Sequence, residues 1–67
     1  MSGAFPEGTK VMFISGIYKG STGTYRFEAG LHVVENVKRG GHILHRSLAV
    51  HITNITPIGK IGKLLYL

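Results

Sequence analysis

The sequence has no cysteine and no tryptophan, only three acidic residues and only two prolines. Each scarcity excludes something. Without cysteine there is no disulfide framework, no thiolate zinc site and no cysteine nucleophile. With Glu7, Glu28 and Glu35 as the only acids, carboxylate-based catalysis has almost no material, and none of them recurs beside a histidine at a telling spacing. No run approaches the roughly 20 apolar residues of a membrane-spanning helix, so no membrane association is expected. Met1 to Pro6 is too short for a signal peptide and lacks a basic leading region, so no export is expected either. A chain of 67 residues holds one core and little else. A cleft with its own supporting shell is hard to build at that size. The expectation is a non-enzyme that takes no cofactor and no small-molecule substrate.

What is present points toward a polyanion. Lysine and arginine number eight, and the formal net charge is +5. Only 16% of residues are charged and 43% are hydrophobic, which describes a folded domain and not a disordered basic tail. A strongly basic small domain favours a polyanionic partner, and of nucleic acid and an anionic membrane the former is expected.

Ten glycines separate short runs rich in β-branched and aromatic residues, the pattern of short strands joined by tight turns. The runs are Lys10 to Ser15, Thr24 to Glu28, Leu31 to Val37, His42 to Ser47 and Leu48 to Ile55. Gly16 to Gly23 reads as a loop with special backbone angles. Ala29-Gly30 reads as a hairpin turn with glycine in the left-handed position, and Lys38-Arg39-Gly40-Gly41 as a basic turn. Pro57 is expected to end the fifth strand. Glycine interrupts every candidate helix. The expected fold is therefore all-β: a small barrel of about five short strands over residues 1–57. Closure would remove the sheet edges that otherwise invite aggregation. Residues 58–67 form an apolar and basic tail that repeats Ile-Gly-Lys.

The four histidines raise the question of a metal. His42 and His45 fall on opposite faces of a regular strand, and two such ligands share an ion only across a bend. His32 and His51 lie on other strands. No metal site is expected.

The loop carries the strongest local signal. Gly8 to Tyr25 reads GTKVMFISGIYKGSTGTY. Gly16, Gly20 and Gly23 would let backbone approach a phosphate-sugar chain closely. Lys19 supplies a cation, Ser21 and Thr22 supply donors, and Tyr18 is placed either to stack on a base or to pack on the barrel. This stretch resembles the KOW motif, matching it at Gly8, Val11, Phe13, Gly16, Lys19, Gly20 and Gly23. Thr9 stands where aspartate is common and Tyr25 where valine closes the pattern. The fold such a motif implies is an SH3-like barrel.

Three later elements extend the resemblance. Val34-Glu35-Asn36-Val37, Gly40-Gly41-His42-Ile43 and Val50 to Ile55 follow in the order seen in the bacterial-type ribosomal protein twenty-four family of the large subunit. Asn36 occupies a position where that family usually has glycine. The family's basic insertion, whose region reaches toward the peptide exit tunnel, is cut here to Lys38-Arg39. The resemblance covers Gly8 to Ile58 and implies a shortened, divergent relative. It implies a structural ribonucleoprotein component that binds ribosomal RNA, beside neighbouring large-subunit proteins. Its setting would be a ribosome, mitochondrial or in the cytoplasm of a reduced organism. It places His51 at a position that faces RNA.

The expected RNA-binding residues are Lys10, Gly16, Tyr18, Lys19, Gly20, Ser21, Thr22, Gly23, Lys38, Arg39, Arg46, His51, Lys60 and Lys63. Two other readings fit the same sequence. A KOW module of the transcription elongation family shares Gly8 to Tyr25 without needing the later elements. A small barrel that binds protein through its apolar tail is the other.

Overall fold

The computed structural model describes residues 3–58. They form five antiparallel strands in one sheet, ordered β4-β3-β2-β1-β5. The strands are β1 (Lys10–Phe13), β2 (Thr22–Glu28), β3 (Leu31–Arg39), β4 (His42–Ala49) and β5 (Ile55–Pro57), with one 3₁₀ turn at Ile52–Asn54. The all-β architecture expected from the glycine spacing is present. No helix among the described residues is long and apolar enough to cross a membrane.

The sheet wraps around its core without closing through hydrogen bonds. β4 and β5 remain edge strands, so the expected removal of edges does not occur. The edges are blunted in other ways. β4 carries Arg46 and a register shift opposite Val37/Lys38, and charges and bulges discourage strand addition. β5 carries Pro57 opposite Val11. Ile58 N donates to Lys10 O, which puts Val11 and Pro57 in a non-hydrogen-bonded pair. The missing proline N–H therefore costs the ladder nothing, and Pro57 is the last residue of β5, ending the strand as expected.

The fifth predicted strand is divided. Leu48 and Ala49 complete β4, opposite Val34 and Val33. The chain then crosses from one edge of the sheet to the other through the 3₁₀ turn before pairing with β1. Crossing lets Leu48, Val50 and Ile52 pack on the core of Val11, Phe13, Tyr25, Val34, Val37 and Ile55. A single straight strand would have exposed part of that set. Three other boundaries also shift. β1 ends at Phe13, β2 begins at Thr22, and β3 runs through Lys38 and Arg39, so the turn is Gly40-Gly41 alone. Both turn glycines have positive φ, 58° and 86°, which the mirror-image hairpin turn requires. Ala29-Gly30 is a turn as expected, with both residues left-handed.

Two bulges decide which side chains meet. On β3 the pairing Thr24↔Glu35 passes to Thr22↔Lys38, so Asn36 and Val37 together oppose Gly23. Asn36 has φ 55°, a region asparagine tolerates better than most residues. On β4 Leu44 is the extra residue. His42 and His45 therefore oppose Arg39 and Val37, which are two apart on β3 and share a side. The expected placement of these histidines on opposite faces is overturned by that bulge.

The N-terminal segment covers one end of the core. Phe5 meets Tyr25 edge to face at 5.2 Å, and Ala4 N donates to Tyr25 Oη at 3.1 Å. A side chain at Gly3 would collide with the Tyr25 hydroxyl and Phe27.

Candidate nucleic-acid interface

The charged residues are sorted in space. Arg26 on β2 lies within 3.6 Å of Glu7, 3.9 Å of Glu28 and 3.1 Å of Glu35. These are all the acids the chain has. The cause is local. Arg26 and Glu28 share the outer face of β2, and the ladder sets Glu35 beside Thr24. Glu7 is anchored by accepting from Phe27 N at 2.8 Å. The hydrogen bond to Glu35, then the charges of Glu35 and Glu28, hold the Arg26 guanidinium above its ordinary range.

Every other cation among the described residues is left without a carboxylate. Among the described residues, no acid pairs with Lys10, Lys19, Lys38, Arg39 or Arg46, and all five are exposed. Lys10 Nζ donates to Thr24 Oγ1 at 3.1 Å. Lys38 lies between Thr22 and Ile43 in the ladder. Lys10, Thr22, Thr24, Asn36, Lys38 and Ile43 line a concavity of about 540 Å³ on the outer face of the sheet. Two ammonium groups, two hydroxyls and an amide in one trough can receive a phosphodiester chain. Lys60 and Lys63 lie outside the described residues.

The loop between β1 and β2 is rigidly closed. Phe13 N donates to Ser21 O and Gly20 N to Phe13 O, both at 2.8 Å. Lys19 N reaches Gly16 O and Ser21 N reaches Tyr18 O. Gly16 and Gly20 have φ of 84° and 91°, so they serve the turn. Nothing lies within 4 Å of a Cβ built at Gly20, so the backbone there is also open to approach. Lys19 stands exposed between them.

Several expected contacts have other duties. Ser21 is fully buried and its Oγ accepts from Arg39 Nε at 3.1 Å. It is no surface donor, because the loop turns its hydroxyl inward. Gly23 is also buried. A Cβ there would fall on Val34 Cγ1 and within 2.8 Å of Glu35 O. Its lack of a side chain lets β3 approach β2, and it lines the trough between Thr22 and Thr24. Arg39 also donates to Ile17 O through Nη2 at 3.1 Å, so its fork ties β3 to the loop. Tyr18 is half-buried, with its ring 5.7 Å from Phe13 and its hydroxyl 2.7 Å from His45 Nε2. Its packing role is plain. Thr22 lines the trough. His51 is exposed, at the entry to the 3₁₀ turn instead of on a strand.

Two of the histidines pair with tyrosines. His45 meets Tyr18, and His32 Nδ1 lies 2.7 Å from Tyr25 Oη. Among the described residues no three metal-binding side chains gather. Sequence reading also missed Ser15 and Asn54, whose side chains bond across 39 positions of chain. No local spacing signals a contact that long. The clustering of all carboxylates on Arg26 was partly legible, since Arg26 and Glu28 alternate with Tyr25 and Phe27. A scan against family models, a search of curated proteins and a search of solved structures each find no match to this chain.

Proposed function

We propose that this protein is a structural component of the large ribosomal subunit that binds ribosomal RNA. The observation that carries the reading is the charge separation. All three acids are gathered on Arg26 while the exposed lysines and Arg46 stand unpaired. Unpaired cations on an open face bind phosphates by releasing counterions, and the carboxylates that would repel RNA are already engaged. The finer fold reading, an SH3-like KOW barrel, is supported by the strand meander and the return of β5 to β1. The loop with left-handed Gly16 and Gly20 fits the motif Gly8 to Tyr25 resembles. Left-handed Asn36 fits a position where the ribosomal family usually has glycine.

Exposed Ile43 and Leu44 on edge strand β4 favour an added contact with a neighbouring ribosomal protein. The deciding experiment is sedimentation. The chain should remain with the large subunit through a high-salt wash of ribosomes from its source. Absence there, with presence on RNA polymerase, would transfer the reading to the transcription elongation modules.

A further inference from the structure

A second concavity, of about 300 Å³, lies against the β1–β2 loop and shares no lining residue with the lysine trough. That is the small end of ligand-binding sites. Its walls are mostly apolar and aromatic: Phe13, Ile17, Tyr18, Leu48 and Val50 contribute. Its polar groups are few and fixed. Ser15 Oγ donates to Asn54 Oδ1 at 2.6 Å. Asn54 is pinned through its backbone as well, since Ile14 N donates to Asn54 O and Asn54 N to His51 O. With Oδ1 accepting from Ser15, Nδ2 is the edge of the amide left to face a ligand. The Nδ2 hydrogens then have no protein partner among the described residues. His51 also lines it.

We infer that this concavity receives one unpaired RNA base swung out of its stack, with Asn54 Nδ2 donating to a carbonyl on the base edge. The inference rests on the RNA-binding reading above and adds what kind of RNA is bound. A base in a duplex presents neither face to a protein, whereas an unpaired base can enter an apolar slot and be read along its edge. The volume admits one ring system. The fixed polar group is a donor, so the complementary edge is an acceptor, and uracil offers two carbonyls on a small ring. Lys19, exposed and next along the chain from Tyr18, supplies a cation for the phosphate of the extruded nucleotide. Ile17, 84% exposed at the rim, acquires a role as the lip that the ribose or base packs under.

The test uses the full chain and two RNA hairpins that differ at one bulged position, uridine in one and an abasic residue in the other. Their phosphates are equal in number, so nonspecific charge attraction cancels. The uridine hairpin should bind about tenfold tighter, the scale of one stacked base. In amide spectra of the unmodified protein, the Asn54 side-chain signals should move with the uridine hairpin and stay with the abasic one. Asn54→Asp retains the acceptor for Ser15 and removes the donor. It should erase the preference for uridine, leaving the two hairpins bound alike, and a melting curve checks that it folds. Should it not fold, the unmodified protein with the two hairpins decides the matter. Equal affinity for both hairpins with a steep salt dependence overturns the base pocket and leaves RNA binding intact. Binding of neither at low salt overturns the RNA reading itself, and the pocket with it.

Discussion

The two charged regions of this small sheet each contain arginine, yet they behave in opposite ways. Around Arg26, three carboxylates meet one guanidinium, so that patch carries surplus negative charge yet has little free valence. Lys10, Lys19, Lys38 and Arg46 are exposed and face no carboxylate among the described residues. A formal charge of +5 therefore understates the polarity of the molecule. The lesson is that neutralisation concentrated at one point leaves the rest of the surface more cationic than composition implies. Net charge alone governs solubility and long-range attraction. Where the charge lies governs what is bound.

The largest expected effect comes from removing the unpaired set. Changing Lys10, Lys19, Lys38 and Arg46 together to glutamine should lower the slope of log affinity against log salt by up to about 3.6, at roughly 0.7–0.9 per lost phosphate contact. Titration of RNA at several salt concentrations measures it, and an unchanged slope would break the comparison outright.

The next effect is on folding. Gly23→Ala forces a Cβ onto Val34 and the Glu35 carbonyl, on the strand pair that carries both regions. Overpacking of this kind costs about 1–3 kcal/mol, to be read from denaturant unfolding.

Arg39 distinguishes a structural cation from a free one. Arg39→Lys keeps the charge and loses the fork that reaches Ser21 and Ile17. Stability should fall by about 1 kcal/mol, the scale of a net hydrogen bond, while the salt slope holds. Arg39→Gln, which also removes the charge, should likewise leave the slope unchanged; a fall of about 0.7–0.9 would mean Arg39 belongs with the RNA contacts after all.

The sharpest comparison uses two variants of equal net charge. Lys38→Gln should reduce the salt slope by about 0.7–0.9. Arg26→Gln should leave it unchanged, since Arg26 already faces three carboxylates. If both lower it equally, location does not matter and net charge does.

The smallest effect is a null one in pH. Arg26 is raised above its ordinary value by Glu35 and Glu28. A group raised by folding contributes stability that is complete below its unfolded value and is lost as pH rises through the folded one. That window lies in strong alkali. Melting temperature from mildly acidic to mildly alkaline pH should show no change traceable to Arg26, which a comparison with Arg26→Gln across that range checks.

How much was legible in the sequence varies by element. The β1, β2 and β3 cores were readable because Val11 and Phe13, Tyr25 and Phe27, and the Val33–Val37 run carry period-2 or continuous apolar signals. The Gly40-Gly41 and Ala29-Gly30 turns were readable from glycine chemistry. Leu48 to Ile55 was misleading, because its alternation continues through a segment that folds as strand, 3₁₀ turn and strand in succession. An alternating pattern records which residues are buried and not the path that buries them. Ser21 and Gly23 sit in a motif-like loop, yet they serve packing. Ser15 and Asn54 carried no signal at all.

The sequence by itself determined the class of the protein. Short β-rich runs cut by glycine allow no long helix, and eight cations against three acids make a net-positive surface unavoidable. Only tertiary structure decided where that surface lies. Bulges at Asn36 and Leu44 reset which residues share a side, and the crossing from β4 to β5 brought Asn54 to Ser15. The strand register set the carboxylates on Arg26. Those outcomes depend on which strands pair and at what offset, and a one-residue shift in register moves a side chain to the opposite face.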